Sequence, residues 1–274
     1  MDKKILFLDL DGTLLNDDKQ VSAEDLDAVK KATARGHAVV LTTGRPLSST
    51  IKQLEKLGLT GEGCYAITSN GALIYDSFAE KIIYQTGVPR DCVREAFDEA
   101  YRYNIHAQTY SDMGVLSEFD NEEVRYYSNR ILMDYEVVSD VSKVLEKDPI
   151  KMLFIDLHDR SKLERFRDHM EEWSDRHGID MFFSCDTYLE FLPRGINKGS
   201  GIHFLREYLS IPYENTVAAG DAENDITMLE AVNLPCVMIN ARPEMYPYGR
   251  YITKRDNNHS GVSEIIEKFI LQSR

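Results

Sequence analysis

The chain has 274 residues, more than one typical domain, so its length is compatible with one large domain or with two. Its hydrophobic fraction of 43% and its charged fraction of 28% are ordinary for a soluble globular protein. The formal net charge of −14 argues against nucleic acid or an anionic membrane as the main partner, although local cations and a metal would still allow an anionic substrate.

The spacing of the cysteines and the length of the apolar runs indicate the cellular compartment in which the protein is expected. The four cysteines, Cys64, Cys92, Cys185 and Cys236, are spaced too widely for a CxxC metal or redox motif. The apolar run at the start is too short for the core of a signal peptide, and no run approaches the roughly 18 apolar residues of a membrane span. We therefore expect a protein of the reducing cytoplasm.

Both ends of the chain alternate predicted strands with predicted helices. At the N-terminal end the predicted strands cover 5–8, 37–41, 66–68 and 72–75, and the predicted helices cover 22–36 and 48–57. At the C-terminal end the predicted helices cover 198–208, 226–232 and 262–271, and the predicted strands cover 216–219 and 236–239. Ser22 suits the N-cap of the first helix, and Gly36 suits its end. This alternation predicts an α/β fold with a doubly wound parallel sheet.

The middle of the chain has a different pattern. It combines two long amphipathic helices with strands that do not alternate with them regularly; the predicted helices are 90–103 and 162–177, and the predicted strands are 105–110, 151–157 and 181–184. This pattern is typical of an α+β unit with an antiparallel sheet. We therefore expect a catalytic core formed by 1–81 and 190–274, with an inserted α+β domain at 82–189.

Two carboxylates follow the first predicted strand. Asp9 and Asp11 are two residues apart, so in an extended chain both would point to the same face and repel one another. Their burial is costly unless a cation or another partner compensates their charge. A simple Asp-Gly turn explains Asp11 and Gly12 but not Asp9. The local pattern alone leaves a metal site and a plain turn both open.

Further polar clusters follow other predicted strands. Thr43, Gly44 and Arg45 follow the second strand, the segment 220–225 with Asp221, Asn224 and Asp225 follows a late strand, and Lys198 opens a helix. In open α/β sheets such strand ends meet at one edge, where ligands bind. Carboxylates suit Mg²⁺, while a lysine, a hydroxyl and backbone N–H groups suit phosphate oxygens. Together they predict a phosphoryl-transfer site.

These segments resemble the motifs of the haloacid dehalogenase (HAD) superfamily. The segment 9–13, with the pattern DxDGT, resembles motif I; 43–45 resembles motif II, Lys198 motif III, and 220–225, with the pattern GDxxND, motif IV. The order of the motifs and the insertion between the second and third are similar to the Cof-type (HAD-IIB) phosphatases with a C2-type cap. The segments 70–72 and 191–199 fit that subfamily too. The resemblance covers nearly the whole core, whereas the cap matches only in position and general texture.

The resemblance implies the chemical roles of the acidic residues. Asp9 would be the nucleophile that forms an aspartyl-phosphate. Asp11 would be the general acid that protonates the leaving group and then the base that activates water. Mg²⁺ would be held by the side chains of Asp9 and Asp221 and by the backbone carbonyl of Asp11.

The resemblance also implies which groups bind the phosphoryl oxygens. They are Thr43, the Gly44 amide, Lys198 and Asn224, assisted by the Leu10 amide. Asp225 would orient Lys198 or a metal-bound water. Arg45 would either hold these site residues in place without touching the substrate or contact the substrate itself. Structural alternatives stay open. Thr43 could cap a helix, Lys198 could be solvated, Asp225 could favour a helix N-terminus, and Arg45 could form a structural ion pair.

The expected function is Mg²⁺-dependent hydrolysis of phosphomonoesters of small metabolites. Sugar phosphates are the substrate class that the resemblance implies, with flavin mononucleotide and pyridoxal phosphate as other options. Phosphotransfer to another sugar, as in related mutases, and a non-catalytic, metabolite-binding regulatory role are the alternatives. Ile239 stands where relatives usually have a glycine, which puts a backbone contact of that region in question. The residues of the cap that select the substrate and the oligomeric state are not predicted.

Overall fold

The computed structural model describes residues 3–111, 114–131 and 133–272. Contacts among them divide the chain into two compact units. The core unit holds the described residues up to Tyr84 and from Asn197 onward, and the inserted unit holds those from Gln85 to Ile196. The divisions fall at 84/85 and 196/197, rather than at 81/82 and 189/190. The second differs because the strand Tyr188–Pro193 pairs within the inserted unit.

The described residues form fourteen strands. They are β1 (Ile5–Leu8), β2 (Ala38–Thr42), β3 (Cys64–Thr68), β4 (Leu73–Asp76), β5 (Lys81–Gln85), β6 (His106–Tyr110), β7 (Val115–Ser117), β8 (Tyr135–Val137), β9 (Met152–Ile155), β10 (Ile179–Cys185), β11 (Tyr188–Pro193), β12 (Thr216–Gly220), β13 (Leu234–Val237) and β14 (Tyr251–Ile252).

The same residues form ten α-helices. They are α1 (Ala23–Ala34), α2 (Leu47–Leu57), α3 (Val93–Arg102), α4 (Glu122–Ile131), α5 (Val141–Val144), α6 (Arg160–His169), α7 (Glu171–His177), α8 (Lys198–Tyr208), α9 (Ile226–Glu230) and α10 (Gly261–Ile265). Short 3₁₀ turns cover Ser69–Gly71, Arg90–Cys92, Tyr213–Asn215, Glu223–Asp225 and Pro243–Tyr248, and a π-helical turn covers Ile266–Ile270.

The core unit is built on a sheet of eight strands within the described ranges, in the order β14-β13-β12-β1-β2-β3-β4-β5. The strands from β14 to β3 are parallel, and β4 runs antiparallel to β3. The strand order reverses between β1 and β12, because the chain adds β2 and β3 on one side of β1 and β13 and β14 on the far side of β12. The predicted doubly wound α/β fold is confirmed, and β4 is its antiparallel addition.

The alternation of side chains along β1 explains why helices cover both faces of this sheet. Leu6 and Leu8 pack into a cluster with residues of α1, α2 and α10. Ile5 and Phe7 pack into a second cluster with residues of α8 and α9. All four side chains are fully buried. A strand that is apolar on both faces is what a parallel sheet between two helical layers requires.

The inserted unit is built on a second sheet, in which six described strands follow the order β10-β11-β9-β6-β7-β8. Its neighbours are antiparallel except for β7 and β8, which are parallel. Residues of α3, α5, α6 and α7 share one apolar cluster with this sheet, and residues of α4 share the other. The predicted α+β class is confirmed.

Three predicted helices differ in detail. The helix predicted at 162–177 is two helices, α6 and α7, that meet at Met170. The helix predicted at 90–103 begins as a 3₁₀ turn before α3, and the closing helix continues from α10 into a π-helical turn. No described helix has the length and apolar character that crossing a bilayer would require.

Candidate active site

The predicted site residues follow three adjacent parallel strands. Asp9 and Asp11 follow β1, Asp221 follows β12 on one side of it, and Thr43 follows β2 on the other. The point between β1 and β12 is where the strand order reverses, and such points open a crevice at the carboxyl edge of the sheet. The fold therefore brings residues that are far apart in the sequence to one edge.

Lys198 lies between two of the acids. Its Nζ is 2.6 Å from Oδ1 of Asp9 and 2.6 Å from Oδ1 of Asp225. It is the first residue of α8, whose N-cap Asn197 accepts a hydrogen bond from the Ser200 N–H. The side chain is fully enclosed, so the alternative of a solvated lysine is wrong.

Asp225 also fixes the loop that carries Asp221. Its Oδ2 accepts hydrogen bonds from the N–H groups of Asp221 at 2.9 Å and Ala222 at 3.1 Å. Gly220 allows this approach, because a Cβ at that position would lie 2.7 Å from the Asp225 carboxylate. One carboxylate of Asp225 therefore holds both Lys198 and the backbone of the loop after β12.

Three carboxylates form an acidic cluster. Asp9, Asp221 and Asp225 each offer an oxygen, and these oxygens lie within 4.8 Å of one another. Burial, followed by the charge of Asp225, raises the pKa of Asp9 well above its ordinary value. The same two causes raise the pKa of Asp221 to about 7. When all three carboxylates are ionised, Lys198 offsets only one of their negative charges, so the ionised cluster attracts a further cation.

The donor set of the cluster fits Mg²⁺. Carboxylate oxygens are the ligands that this hard cation prefers. Thr13 donates from Oγ1 to Oδ1 of Asp221 at 3.0 Å, which orients that carboxylate. A Cβ at Gly12 would lie 2.4 Å from Oδ2 of Asp221, so only a glycine lets the carboxylate lie this close to the backbone after β1. Asp9 and Asp221 are two of the residues predicted to bind Mg²⁺, and Asp225 joins them in the cluster.

The carboxylate of Asp11 lies outside this cluster. It accepts two hydrogen bonds from Arg45, each 2.8 Å long, and a third from Lys19 at 2.8 Å. Burial by itself would raise the pKa of Asp11, but the hydrogen bonds and charge of Arg45, with those of Lys19, lower it to about 2. Arg45 thus contacts the predicted acid and base directly.

The predicted phosphate-binding groups lie beside these acids. Thr43 is buried, and its Oγ1 accepts a hydrogen bond from the Arg45 N–H at 3.1 Å. Thr43 does not cap a helix, because α2 begins after Pro46 without a side-chain cap. Asn224 donates to Oδ1 of Asn70 at 3.4 Å, and that amide packs against Gly44. Leu10 is buried, and its carbonyl accepts from the Leu15 N–H at 2.8 Å.

Several contacting residues had no assigned role in the sequence. Lys19 is a lysine in a polar loop, and nothing in the sequence around it indicates a functional role. Asn70 belongs to a segment that fits the subfamily, but its contacts depend on an unusual backbone. Asn240 donates to the Gly12 carbonyl at 2.8 Å, beside Ile239. The N–H of Ile239 donates to Oγ1 of Thr253 at 2.9 Å, so the isoleucine retains a defined backbone contact.

Several known proteins similar to this chain carry the name phosphatase. A family model described as haloacid dehalogenase-like hydrolase matches residues 6–266. M6_Spy0533 of Streptococcus pyogenes serotype M6, provisionally named a phosphatase, is 33% identical over 99% of this chain and 100% of its own length. The HMP-PP phosphatase of Serratia proteamaculans is 29% identical over 88% and 86% of the two chains. The 5-amino-6-(5-phospho-D-ribitylamino)uracil phosphatase YitU of Bacillus subtilis is 27% identical over 97% of each.

Solved structures share the fold of this chain. A haloacid dehalogenase-like hydrolase from Bacteroides thetaiotaomicron has a TM-score of 0.89, with 25% identity over 97% of this chain and 99% of that one. TM0651 from Thermotoga maritima has a TM-score of 0.85, with 31% identity over 99% and 98%. The HAD subclass IIB sugar phosphatase BT4131 has a TM-score of 0.81 over 97% and 99%, and at 20% identity this likeness concerns the fold.

Proposed function

Since the chain belongs to the haloacid dehalogenase-like hydrolases and is a phosphatase of that family, we propose that it hydrolyses phosphomonoesters of small metabolites with Mg²⁺ as its cofactor. Its fold is that of the HAD subclass IIB. The observation that carries the proposal is the contact of Lys198 with Asp9 and Asp225 beside Asp221. In this proposal Asp9 supplies the nucleophile, Lys198 the fixed cation and the acidic cluster the cation site.

Asp9 is the nucleophile in this proposal. Its carboxylate attacks the phosphorus, the bond from phosphorus to the leaving oxygen breaks, and an aspartyl-phosphate forms. Water then attacks the phosphorus, the bond to Asp9 breaks, and orthophosphate leaves. Mg²⁺ would be held by Asp9, Asp221 and the Asp11 carbonyl, with Asp225 beside them, and would offset the charge of the phosphoryl group. Lys198, Thr43, the amides of Leu10 and Gly44, and Asn224 would hold its oxygens.

Asp11 would donate a proton to the leaving oxygen and later accept one from the attacking water. In the structure its carboxylate is held by Arg45 and Lys19, which keep it ionised. Proton donation therefore requires that the contacts of Asp11 with Arg45 and Lys19 break when the substrate binds. An incoming phosphoryl group is the natural competitor for Arg45, because guanidinium binds phosphate and carboxylate with the same geometry.

The substrate class is part of the same proposal. The related phosphatases carry names of different small phosphorylated molecules, so the shared chemistry is a phosphate on a small metabolite. Sugar phosphates are our first choice, and a cytoplasmic location stays a prediction from the sequence. Measurement of phosphate release against product isomer separates hydrolysis from transfer to a second sugar.

A screen of phosphorylated metabolites with Mg²⁺ tests this proposal. Wild type should release phosphate from sugar phosphates, whereas Asp9→Asn should lose at least about 10³-fold in kcat/KM. Asp18→Asn is the matched control, because Asp18 is an exposed acid in the loop that follows the same strand. A wild type that releases no phosphate from any compound, or an Asp9→Asn variant with full activity, would contradict the proposal.

A further inference from the structure

The turn Ser69–Gly71, which follows β3, has a backbone that its residues disfavour. The φ angles are 50° at Ser69, 53° at Asn70 and 103° at Gly71. Non-glycine residues avoid this left-handed region because Cβ crowds the next carbonyl. Across the described ranges, this is the one place where two successive non-glycine residues adopt it. Both are buried, and strain of this kind is retained where surrounding contacts fix it, often at functional sites.

The backbone of the turn binds the loop after β2. The Ser69 N–H donates to the carbonyl of Arg45 at 3.0 Å, and the Asn70 N–H donates to the carbonyl of Thr43 at 3.1 Å. These carbonyls belong to the residues on either side of Gly44. The strained turn therefore fixes both ends of the segment that offers the Thr43 hydroxyl and the Gly44 amide.

The side chain of Asn70 connects this segment to a second loop. A Cβ at Gly44 would lie 3.1 Å from both Oδ1 and Nδ2 of Asn70, so the amide packs directly on the Gly44 backbone. Oδ1 also accepts a hydrogen bond from Asn224 at 3.4 Å. Gly44 follows β2 and Asn224 follows β12, and one amide group contacts both.

The last residue of the turn supports the helix that carries Lys198. A Cβ at Gly71 would lie 2.1 Å from the carbonyl oxygen of Asn197, which is the N-cap of α8. The two backbones are in direct contact at this point. The turn therefore contacts the backbone on either side of Gly44, the side chain of Asn224 and the residue before Lys198.

We propose that Asn70 is a positioning residue, which holds the Thr43–Arg45 segment and Asn224 where they receive the phosphoryl oxygens. This inference rests on the proposed function. The contacts given above go to the phosphate-binding loops, not to the acidic cluster. The loss of the amide should therefore weaken phosphate binding and turnover while metal binding is retained.

Asn70→Gly is the informative variant. Glycine adopts the left-handed turn without strain, so the fold is retained while the amide is lost. With p-nitrophenyl phosphate, kcat/KM should fall about 10- to 100-fold, since small misplacement of binding groups has effects of that size. The Kd for inorganic phosphate with Mg²⁺, measured by calorimetry, should rise about tenfold, while the Mg²⁺ activation constant should change less than about twofold. Asn104→Gly, at an exposed asparagine with the same φ of 53°, should match wild type.

The outcomes separate this inference from the proposed function. An Asn70→Gly variant within about twofold of wild type in kcat/KM and phosphate affinity would overturn the inference, and so would an equal loss of Mg²⁺ and phosphate affinity. A wild type without phosphatase activity would contradict the proposed function. Phosphate calorimetry would then still test Asn70: weaker binding in the variant supports its role, and equal binding, or none to either protein, overturns it.

Discussion

Lys198 is the positive charge between the buried carboxylates of Asp9 and Asp225. Burial alone would lower its pKa, but the carboxylates of Asp225 and Asp9 raise it well above its ordinary value. The ammonium group therefore stays charged wherever the protein is folded. A fixed positive charge beside Asp9 suits a site where phosphoryl oxygens gather charge, and it keeps two buried acids from repelling one another.

Substitution of Lys198 should affect both stability and activity. Lys198→Met leaves Asp9 and Asp225 without their cation, which should cost about 3–5 kcal/mol in the free energy of unfolding. It should lower kcat/KM at least about 10²-fold. Denaturant unfolding and steady-state kinetics measure the two effects.

The inserted unit offers a matched control for this substitution. Lys151 is also buried, and its Nζ is 2.7 Å from Glu190. Lys151→Met should lose similar stability but, assayed where both variants are folded, should stay within about tenfold of wild type in kcat/KM. Equal losses of activity per folded molecule in the two variants would show that Lys198 has only a structural role.

His106 gives the inserted unit an acid-sensitive residue. Its ring lies 3.0 Å from Oε1 of Gln108 and 3.1 Å from Nδ2 of Asn121, and Oδ1 of Asn121 accepts from the Val124 N–H. The ring is therefore donor at one nitrogen and acceptor at the other, as in neutral histidine. Burial lowers the pKa of His106 to about 4, although the hydrogen bond to Gln108 opposes this shift.

This lowered pKa predicts a pH-dependent stability. Below an unfolded pKa of about 6.5 the unfolded chain binds a proton that the folded His106 does not, so the contribution of His106 to the stability of the inserted unit falls as pH drops from about 6.5 to 4. The full effect is on the order of 3 kcal/mol. The fluorescence of Trp173, the single tryptophan, reports unfolding of this unit. His106→Gln should remove that dependence, and an unchanged acid transition in the variant would refute the assignment.

The loop after β1 brings its backbone into close contact with a carboxylate of the loop after β12. Gly12 has a φ of 87°, and a Cβ there would lie 2.4 Å from Asp221. Gly36 has a φ of 81° with no neighbour within 4 Å. Both glycines occupy the left-handed region, but only Gly12 also makes room for a predicted metal ligand.

This pair predicts a selective effect on metal binding. Gly36→Ala should lose only about 1–2 kcal/mol of stability for its backbone strain. Gly12→Ala should lose more and should raise the Mg²⁺ activation constant at least about tenfold, because the Asp221 carboxylate must move. Thermal unfolding and Mg²⁺ titration of phosphate release measure both quantities. An equal Mg²⁺ response in the two variants would mean that Asp221 does not bind the metal.

The sequence predicted the elements whose residues repeat a clear pattern. Buried runs that end in polar clusters located β1, β2 and β12, and the order of a doubly wound sheet then placed Asp9 beside Asp221. The strands β7 and β8 were missed because three residues are too few to show a period. In α4, Val124, Tyr127 and Ile131 do have helical spacing, but the many polar residues around them obscured it.

Contacts that depend on the final fold could not be predicted. The binding of Asp11 by Arg45 and Lys19 joins residues whose loops meet only after β1 and β2 pair. The left-handed turn at Asn70 is set by its neighbours, not by its own preference. Local sequence patterns predict helices, strands and some candidate site residues, whereas these contacts depend on how the strands and loops are arranged in three dimensions.

For the whole molecule, the acidic cluster predicts that metal and protons compete. The raised pKa values of Asp9 and Asp221 mean that the metal-free folded protein retains protons that the unfolded chain releases. The contribution of these two acids to the stability of the core unit should therefore fall as pH rises from about 4 to 7. Mg²⁺ should restore stability most at the upper end of this range, since it binds the ionised cluster.

Calorimetric unfolding with EDTA and with Mg²⁺, at several pH values, measures this competition. Asp221→Asn should flatten both the pH dependence and the Mg²⁺ response. The control variant Asp18→Asn, which changes an exposed acid, should retain both. A melting temperature that Mg²⁺ leaves unchanged at pH 7 would contradict a metal site in the acidic cluster.

The most direct test of the proposed mechanism is detection of the phosphoryl group on Asp9. The variant Asp11→Asn, mixed with p-nitrophenyl phosphate and Mg²⁺, should release the first nitrophenol, whose departure needs little help from an acid, but should hydrolyse the aspartyl-phosphate slowly. Acid quench and peptide mass mapping should then find phosphate on Asp9, with a burst of about one nitrophenol per active site. Turnover without a phosphorylated enzyme, or with phosphate on another residue, would contradict the account.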